Sequence, residues 1–122
     1  MKIIDIHSHF YPDSIVDMDS RFGAGVWPGF RKLSGDKGMI TYDGKDYRPI
    51  YDACWNAERR IEELDKYAVD IQIMCATPIL FAYEKPAAEA LECAKVVNDA
   101  ALDLCGCNSA RLKAMCQVPL QD

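Results

Sequence analysis

Lys2-Ile3-Ile4-Asp5-Ile6-His7-Ser8-His9-Phe10-Tyr11-Pro12 is a short run rich in β-branched residues with a proline close behind, the pattern of a strand that stops near Phe10. Side chains two apart on a strand point to one face, with their Cα atoms about 6.6 Å apart for a rise of about 3.3 Å per residue. His7 and His9 are therefore predicted to converge on one side, with Ser8 pointing away. Two imidazoles so placed can reach one divalent ion at about 2.0–2.1 Å each. Asp5 is predicted on that same face one step deeper, where a carboxylate can support a ligating histidine from behind.

Outward from this strand, the chain from about Asp13 to Cys54 is irregular, with glycines at 23, 25, 29, 35, 38 and 44 and prolines at 28 and 49. Within it, Met39–Tyr42 and Lys45–Arg48 flank Asp43-Gly44, a dipeptide suited to the two positive φ angles of a tight hairpin turn. Residues 13–54 are thus expected to be an insertion bearing a small hairpin. Asn56 can cap a helix, Glu58 suits its first turn, and Ala57, Ile61, Leu64 and Ala68 mark one face of a helix running to about Tyr67. Asp70–Thr77 is an apolar run of strand length, ended by Pro78 and expected to be covered on both faces. Pro86 suits a first helical position, and Ala90, Ala94, Val97, Ala101 and Leu104 form the stripe of a second helix ending near Gly106. Leu112–Val118 reads as a third strand, stopped by Pro119.

Strand, insertion, helix, strand, helix, strand is the order of right-handed parallel crossover units. The fold class expected is α/β. An eight-stranded (β/α) barrel takes about 250 residues, so three strands in residues 1–122 predict the N-terminal portion of such a barrel, incomplete by itself. Barrels of this kind place their chemistry at the C-terminal ends of the strands, and His7 and His9 sit at the end of the first.

Composition agrees with a globular domain: half of the residues are hydrophobic, and a net charge of −5 is mild. Nucleic acid is not expected as a partner, since the close basic pair Arg59-Arg60 is followed at once by Glu62 and Glu63, a solvated helix face. No apolar run is long enough for a bilayer, and Asp5 stands where a secretory leader needs its apolar stretch, so a soluble, cytoplasmic protein is expected. The six cysteines include no CxxC pair; Cys75, Cys93 and Cys116 lie in apolar segments and read as buried reduced thiols, and Cys105-Gly106-Cys107 lacks zinc-site spacing. Trp27, Trp55, Phe81 and Tyr83 read as packing residues rather than a substrate lining.

A set of spaced motifs goes further: Asp5-Ile-His-Ser-His-Phe-Tyr-Pro12, Arg21-Phe-Gly, Asp43-Gly-Lys, Tyr47-Arg48, Cys54-Trp55, Arg60-Ile61 with Leu64-Asp65, and Val97-Asn98-Asp99. Together they resemble the start of the 2-amino-3-carboxymuconate 6-semialdehyde decarboxylase family of the amidohydrolase superfamily. That resemblance implies a metal-dependent, non-oxidative decarboxylase of tryptophan breakdown by the kynurenine route. It further implies a divalent metal, usually zinc, with His7 and His9 as its first two ligands. Arg48 matches an arginine suited to hold a carboxylate of the small-molecule substrate, for which a planar guanidinium is apt. A homodimer is implied for the full-length protein. The family takes a further ligating histidine, a ligating aspartate and a water-activating histidine from later strands, and this chain holds two histidines in all. The chain alone is therefore expected to bind metal weakly and not to turn over. The alternatives are a hydrolase or hydratase of the same superfamily and an inactive fragment.

Overall fold

The computed structural model describes residues 1–15, 18–23 and 26–121 (for Asp19, the backbone alone). Gly25, one of the glycines of the insertion, lies outside the described residues. The elements are β1 (Ile4–Phe10), α1 (Met18–Phe22), β2 (Pro28–Lys32), β3 (Lys37–Tyr42), β4 (Lys45–Tyr51), α2 (Ala57–Lys66), β5 (Ile71–Ala76), α3 (Ala87–Gly106) and β6 (Leu112–Met115). Two three-stranded sheets result: β1-β5-β6, all parallel, and the antiparallel β2-β3-β4. In the parallel sheet spatial order follows chain order without reversal, as expected for successive strands of a singly wound barrel.

Local chemistry accounts for the elements. Asn56 caps α2, its Oδ1 accepting from the Arg59 N–H at 3.0 Å. The β3–β4 turn takes the two positive φ angles expected of it, 52° at Asp43 and 67° at Gly44. The insertion is more ordered than its glycines suggest. Besides the hairpin it contains α1, and β2 adds a third strand along β3 from Pro28 opposite Tyr42 to Lys32 opposite Gly38. The buried stripe of α3 is Ala90, Cys93, Ala94, Val97, Ala101 and Cys105; Leu104, expected there, is half-buried.

Three other expectations are corrected. Ala68 does not continue the α2 stripe: it is exposed, at φ 55° just beyond the helix, and Arg60 joins Ala57 and Leu64 on the buried face instead. One face of β5 is covered, with Gln72, Met74 and Ala76 buried, while Ile71, Ile73 and Cys75 are half-buried. The last strand ends at Met115 because both backbone groups of Gln117 are taken by one side chain: its N–H donates to Asn98 Oδ1 at 2.9 Å, and Asn98 Nδ2 donates to its carbonyl at 2.8 Å. Cys116 is consequently exposed rather than buried.

One core joins both sheets. Phe10, Met74, Ala76, Leu80, Cys93, Val97 and Leu112 lie under the helices, continuous with Tyr11, Met18, Trp27 and Ile40 under the antiparallel sheet. Gly38 is confined there: a Cβ would come within 2.4 Å of the Phe30 ring and 3.0 Å of Trp55. Trp27 and Trp55 pack as expected, whereas Tyr83 stays exposed beside Phe81. Among the described residues no helix is long and apolar enough to cross a membrane.

Candidate metal centre at the end of the first strand

The register of β1 against β5 sets the site. Asp5 pairs with Gln72 and Ser8 with Met74, so Ile6 and His7 together oppose Ile73. This bulge reverses the alternation partway along the strand. Asp5, Ser8 and Phe10 align with Gln72, Met74 and Ala76, the face covered by helices, and His9 aligns with Cys75 on the opposite, more open face. Asp5 is therefore not on the histidine face, which corrects the simple alternation.

The two imidazoles meet. Their ring centroids are 5.1 Å apart and the planes nearly perpendicular, at 87°. Two imidazoles sharing an ion at about 2.0–2.1 Å with a tetrahedral angle have centroids about 5 Å apart, the separation seen here. His9 is half-buried and His7 exposed. His9 Nδ1 lies 3.1 Å from the Ala76 carbonyl, which can only accept, so in the neutral ring the proton sits on Nδ1 and the lone pair on Nε2. That is how a ligating histidine is oriented by the group behind it. The Cys75 thiol lies 3.2 Å from the same Nδ1 and donates to the Ser8 carbonyl at 3.3 Å.

Behind the strand runs a polar chain with no part in the sequence expectations. Arg60, 6 % exposed, donates from Nη1 to Gln72 Oε1 at 2.8 Å and from Nη2 to the His9 carbonyl at 2.7 Å. Gln72 donates from Nε2 to Asp5 Oδ2 at 2.7 Å, and Asp5 Oδ1 accepts the His7 backbone N–H at 3.0 Å. The Gln72 donor, followed by the His7 N–H, holds the Asp5 carboxyl below its ordinary value, and burial pulls the Arg60 guanidinium down from its own. Helical spacing from Ala57 and Leu64 is the one signal in the sequence that could have placed Arg60 inward.

Other residues lie apart from this cluster. Arg48 is exposed on β4, opposite Ile40, and its side chain has no hydrogen-bond or ion-pair partner among the described residues. A cavity of about 470 Å³ between Pro12, Trp55, α2 and α3 includes neither histidine nor Arg48. Among the described residues no group of three or more His, Cys, Asp or Glu side chains could hold a metal, so the two histidines stand without a third such ligand.

No protein-family model matches the chain. Over 118 residues, 97 % of its length, it is 30 % identical to 2-amino-3-carboxymuconate-6-semialdehyde decarboxylase of Dictyostelium discoideum, covering 33 % of that protein. The protein of the same name from Caenorhabditis elegans is 31 % identical over 122 residues, with 98 % of this chain and 30 % of the relative covered. The chain resembles a part of these decarboxylases. It spans about a third of the length of the relatives it matches. The crystal structure of Metarhizium anisopliae IDCase in apo form superposes with a TM-score of 0.67 at 20 % identity, over 98 % of this chain and 36 % of that one, a likeness of fold.

Proposed function

We propose that these residues form the N-terminal part of a metal-dependent, non-oxidative decarboxylase of the amidohydrolase superfamily, an enzyme acting on 2-amino-3-carboxymuconate 6-semialdehyde or a similar semialdehyde in tryptophan catabolism. The observation that carries this reading is the pair of imidazoles 5.1 Å apart at the C-terminal end of β1, in a chain similar to two proteins that bear the name of that activity. His7 and His9 hold a divalent ion, zinc by analogy with the family the sequence resembles, and His9 does so through Nε2, with Nδ1 engaged by Ala76. The bound ion supplies Lewis acidity to the reacting centre. Arg48 takes a substrate carboxylate; being exposed and unpaired among the described residues, its guanidinium is available for a bidentate contact. The remaining ligands come from later strands of the same barrel, and the protein acts in the cytoplasm as a homodimer.

The test uses the protein that carries these residues together with the later strands, loaded with Zn2+ and offered the semialdehyde, with carbon dioxide release as the readout. Release is expected, lost in His7→Ala and His9→Ala. Arg48→Ala should lower kcat/KM about 10–100-fold, the equivalent of one hydrogen bond to a charged group at ~1.5–3 kcal/mol. Hydrolysis or hydration without carbon dioxide release would replace this reading with the hydrolase alternative, and an unchanged rate in Arg48→Ala would remove that residue's role.

A further inference from the structure

We propose that the chain Asp5–Gln72–Arg60 is a positioning device that clamps the backbone on either side of the bulge and so fixes the mutual orientation of the His7 and His9 rings; its consequence for metal binding rests on the reading of those histidines as ligands. The hydrogen bonds form a continuous path: the His7 N–H donates to Asp5, Asp5 accepts from Gln72, Gln72 accepts from Arg60, and Arg60 donates to the His9 carbonyl. Both ends of the path are main-chain atoms of the two histidines. Its members come from three elements, β1, β5 and α2, so the helix layer is tied directly to the strand end that bears the rings.

Each residue type is required by its place. A side-chain amide accepts from a guanidinium with one end and donates to a carboxylate with the other, which neither a carboxylate nor an alkyl chain can do. Gln72 is 8 % exposed, so either mismatch would leave a buried polar group unsatisfied. Arg60 is a poor choice for stability alone, because an apolar side chain of similar volume is often as good in a buried position, and its neighbours on that helix face, Ala57 and Leu64, are apolar. What an apolar side chain cannot do is hold the His9 carbonyl. With the carbonyl held by Arg60 and the ring held at Nδ1 by Ala76, His9 is fixed at two points; His7, whose ring is exposed, is fixed through its N–H alone. Across the bulge, Ile6 and His7 share the single partner Ile73, so the clamp acts where the ladder is weakest.

Two isosteric variants of the 122-residue chain test this. Gln72→Glu keeps the acceptor for Arg60 but turns an acceptor toward Asp5, and Asp5→Asn can no longer accept at both oxygens. Val97→Ala, a core truncation on α3, controls for general loss of stability. In metal-free protein the nuclear Overhauser effects between the His7 and His9 rings are expected in the wild type and in Val97→Ala, and lost in Asp5→Asn and Gln72→Glu. In a Zn2+ titration followed on the imidazole resonances, those two variants should bind about 10–100-fold more weakly, the usual loss when a group orienting a ligand is removed. Ring contacts that persist in both variants, or that Val97→Ala loses equally, would overturn the clamp. A wild type that shows the ring contacts but whose imidazole resonances do not respond even to Zn2+ in large excess, where a weak two-imidazole site fills, would overturn the metal reading, leaving the clamp to be judged by the ring contacts alone.

Discussion

Replacing Tyr11 with Phe should loosen the antiparallel sheet while leaving the parallel one nearly intact. Tyr11 follows β1 directly and has no exposed surface; its hydroxyl donates to the Gly29 carbonyl at 2.8 Å, its ring lies 6.0 Å from Phe30, and its N–H donates to the Cys54 carbonyl at 2.9 Å. Burial pushes the phenol well above its ordinary value, so it stays a donor at any working pH. The variant keeps the ring and its packing and loses one oxygen. A net hydrogen bond contributes about 0.5–1.5 kcal/mol, and a stranded buried acceptor costs about 1–3 kcal/mol. Gly29 is half-buried, so water offsets part of the loss and about 1 kcal/mol is expected. Tyr11→Ala, which also empties the ring's volume, should cost about 3–5 kcal/mol. Urea unfolding followed by tryptophan fluorescence measures the total, and amide exchange locates it. Protection should fall over Phe30–Lys32 and Met39–Tyr42 more than over Met74–Ala76. Unchanged stability and unchanged exchange in β2 and β3 would show that the hydroxyl does not anchor the insertion.

Thiol labelling should separate the cysteines by burial: Cys107 and Cys116 react first, while Cys93 and Cys105 react only on unfolding. Burial pushes the Cys93 thiol up to about 11, leaving almost no thiolate at neutral pH, and labelling of Cys93 as fast as Cys107 would contradict this packing. Asp5 gives an acid limb to stability: its carboxyl is held below the ordinary value by Gln72 and then His7, so the stabilisation is present above the unfolded-state value and is lost as pH falls through the lowered folded-state value. Asp5→Asn should flatten that limb, and parallel stability curves for the two proteins between about pH 5 and 2 would refute the assignment.

The elements written in local sequence are those whose signals are local. Asn56 before an apolar-periodic run, Asp43-Gly44 between alternating residues, and the proline after each of the first two parallel strands specify α2, the β3–β4 turn and the ends of β1 and β5. The features missed depend on partners distant in sequence. β2 contains Pro28 and Gly29 and ends in two cations, a poor strand by propensity, and exists because the edge of β3 is there to pair with it. Arg60 stands in a charged stretch with Arg59, Glu62 and Glu63 that reads as solvated, and it is the helical phase, not the local charge, that turns it inward. The end of β6 is set by Asn98, 19 residues earlier on α3. The candidate site was legible as two rings on one side, and illegible in what stands behind them.

The bulge explains that difference and gives it a chemical sense. On a regular strand Asp5, His7 and His9 would share a face, and a carboxylate would stand beside the rings. With Ile6 and His7 both opposing Ile73, Asp5 falls on the helix side, where Gln72 donates to it and the Arg60 cation stands behind, while the ring of His9 takes the neutral Ala76 carbonyl as its partner. A carboxylate behind an imidazole makes it a more basic ligand and leaves an ion less electron-poor. A carbonyl does so less, so a cation held by these rings would retain more of its Lewis acidity. One extra residue in β1 thus separates the negative charge that fixes the histidine backbone from the open face on which the imidazoles converge.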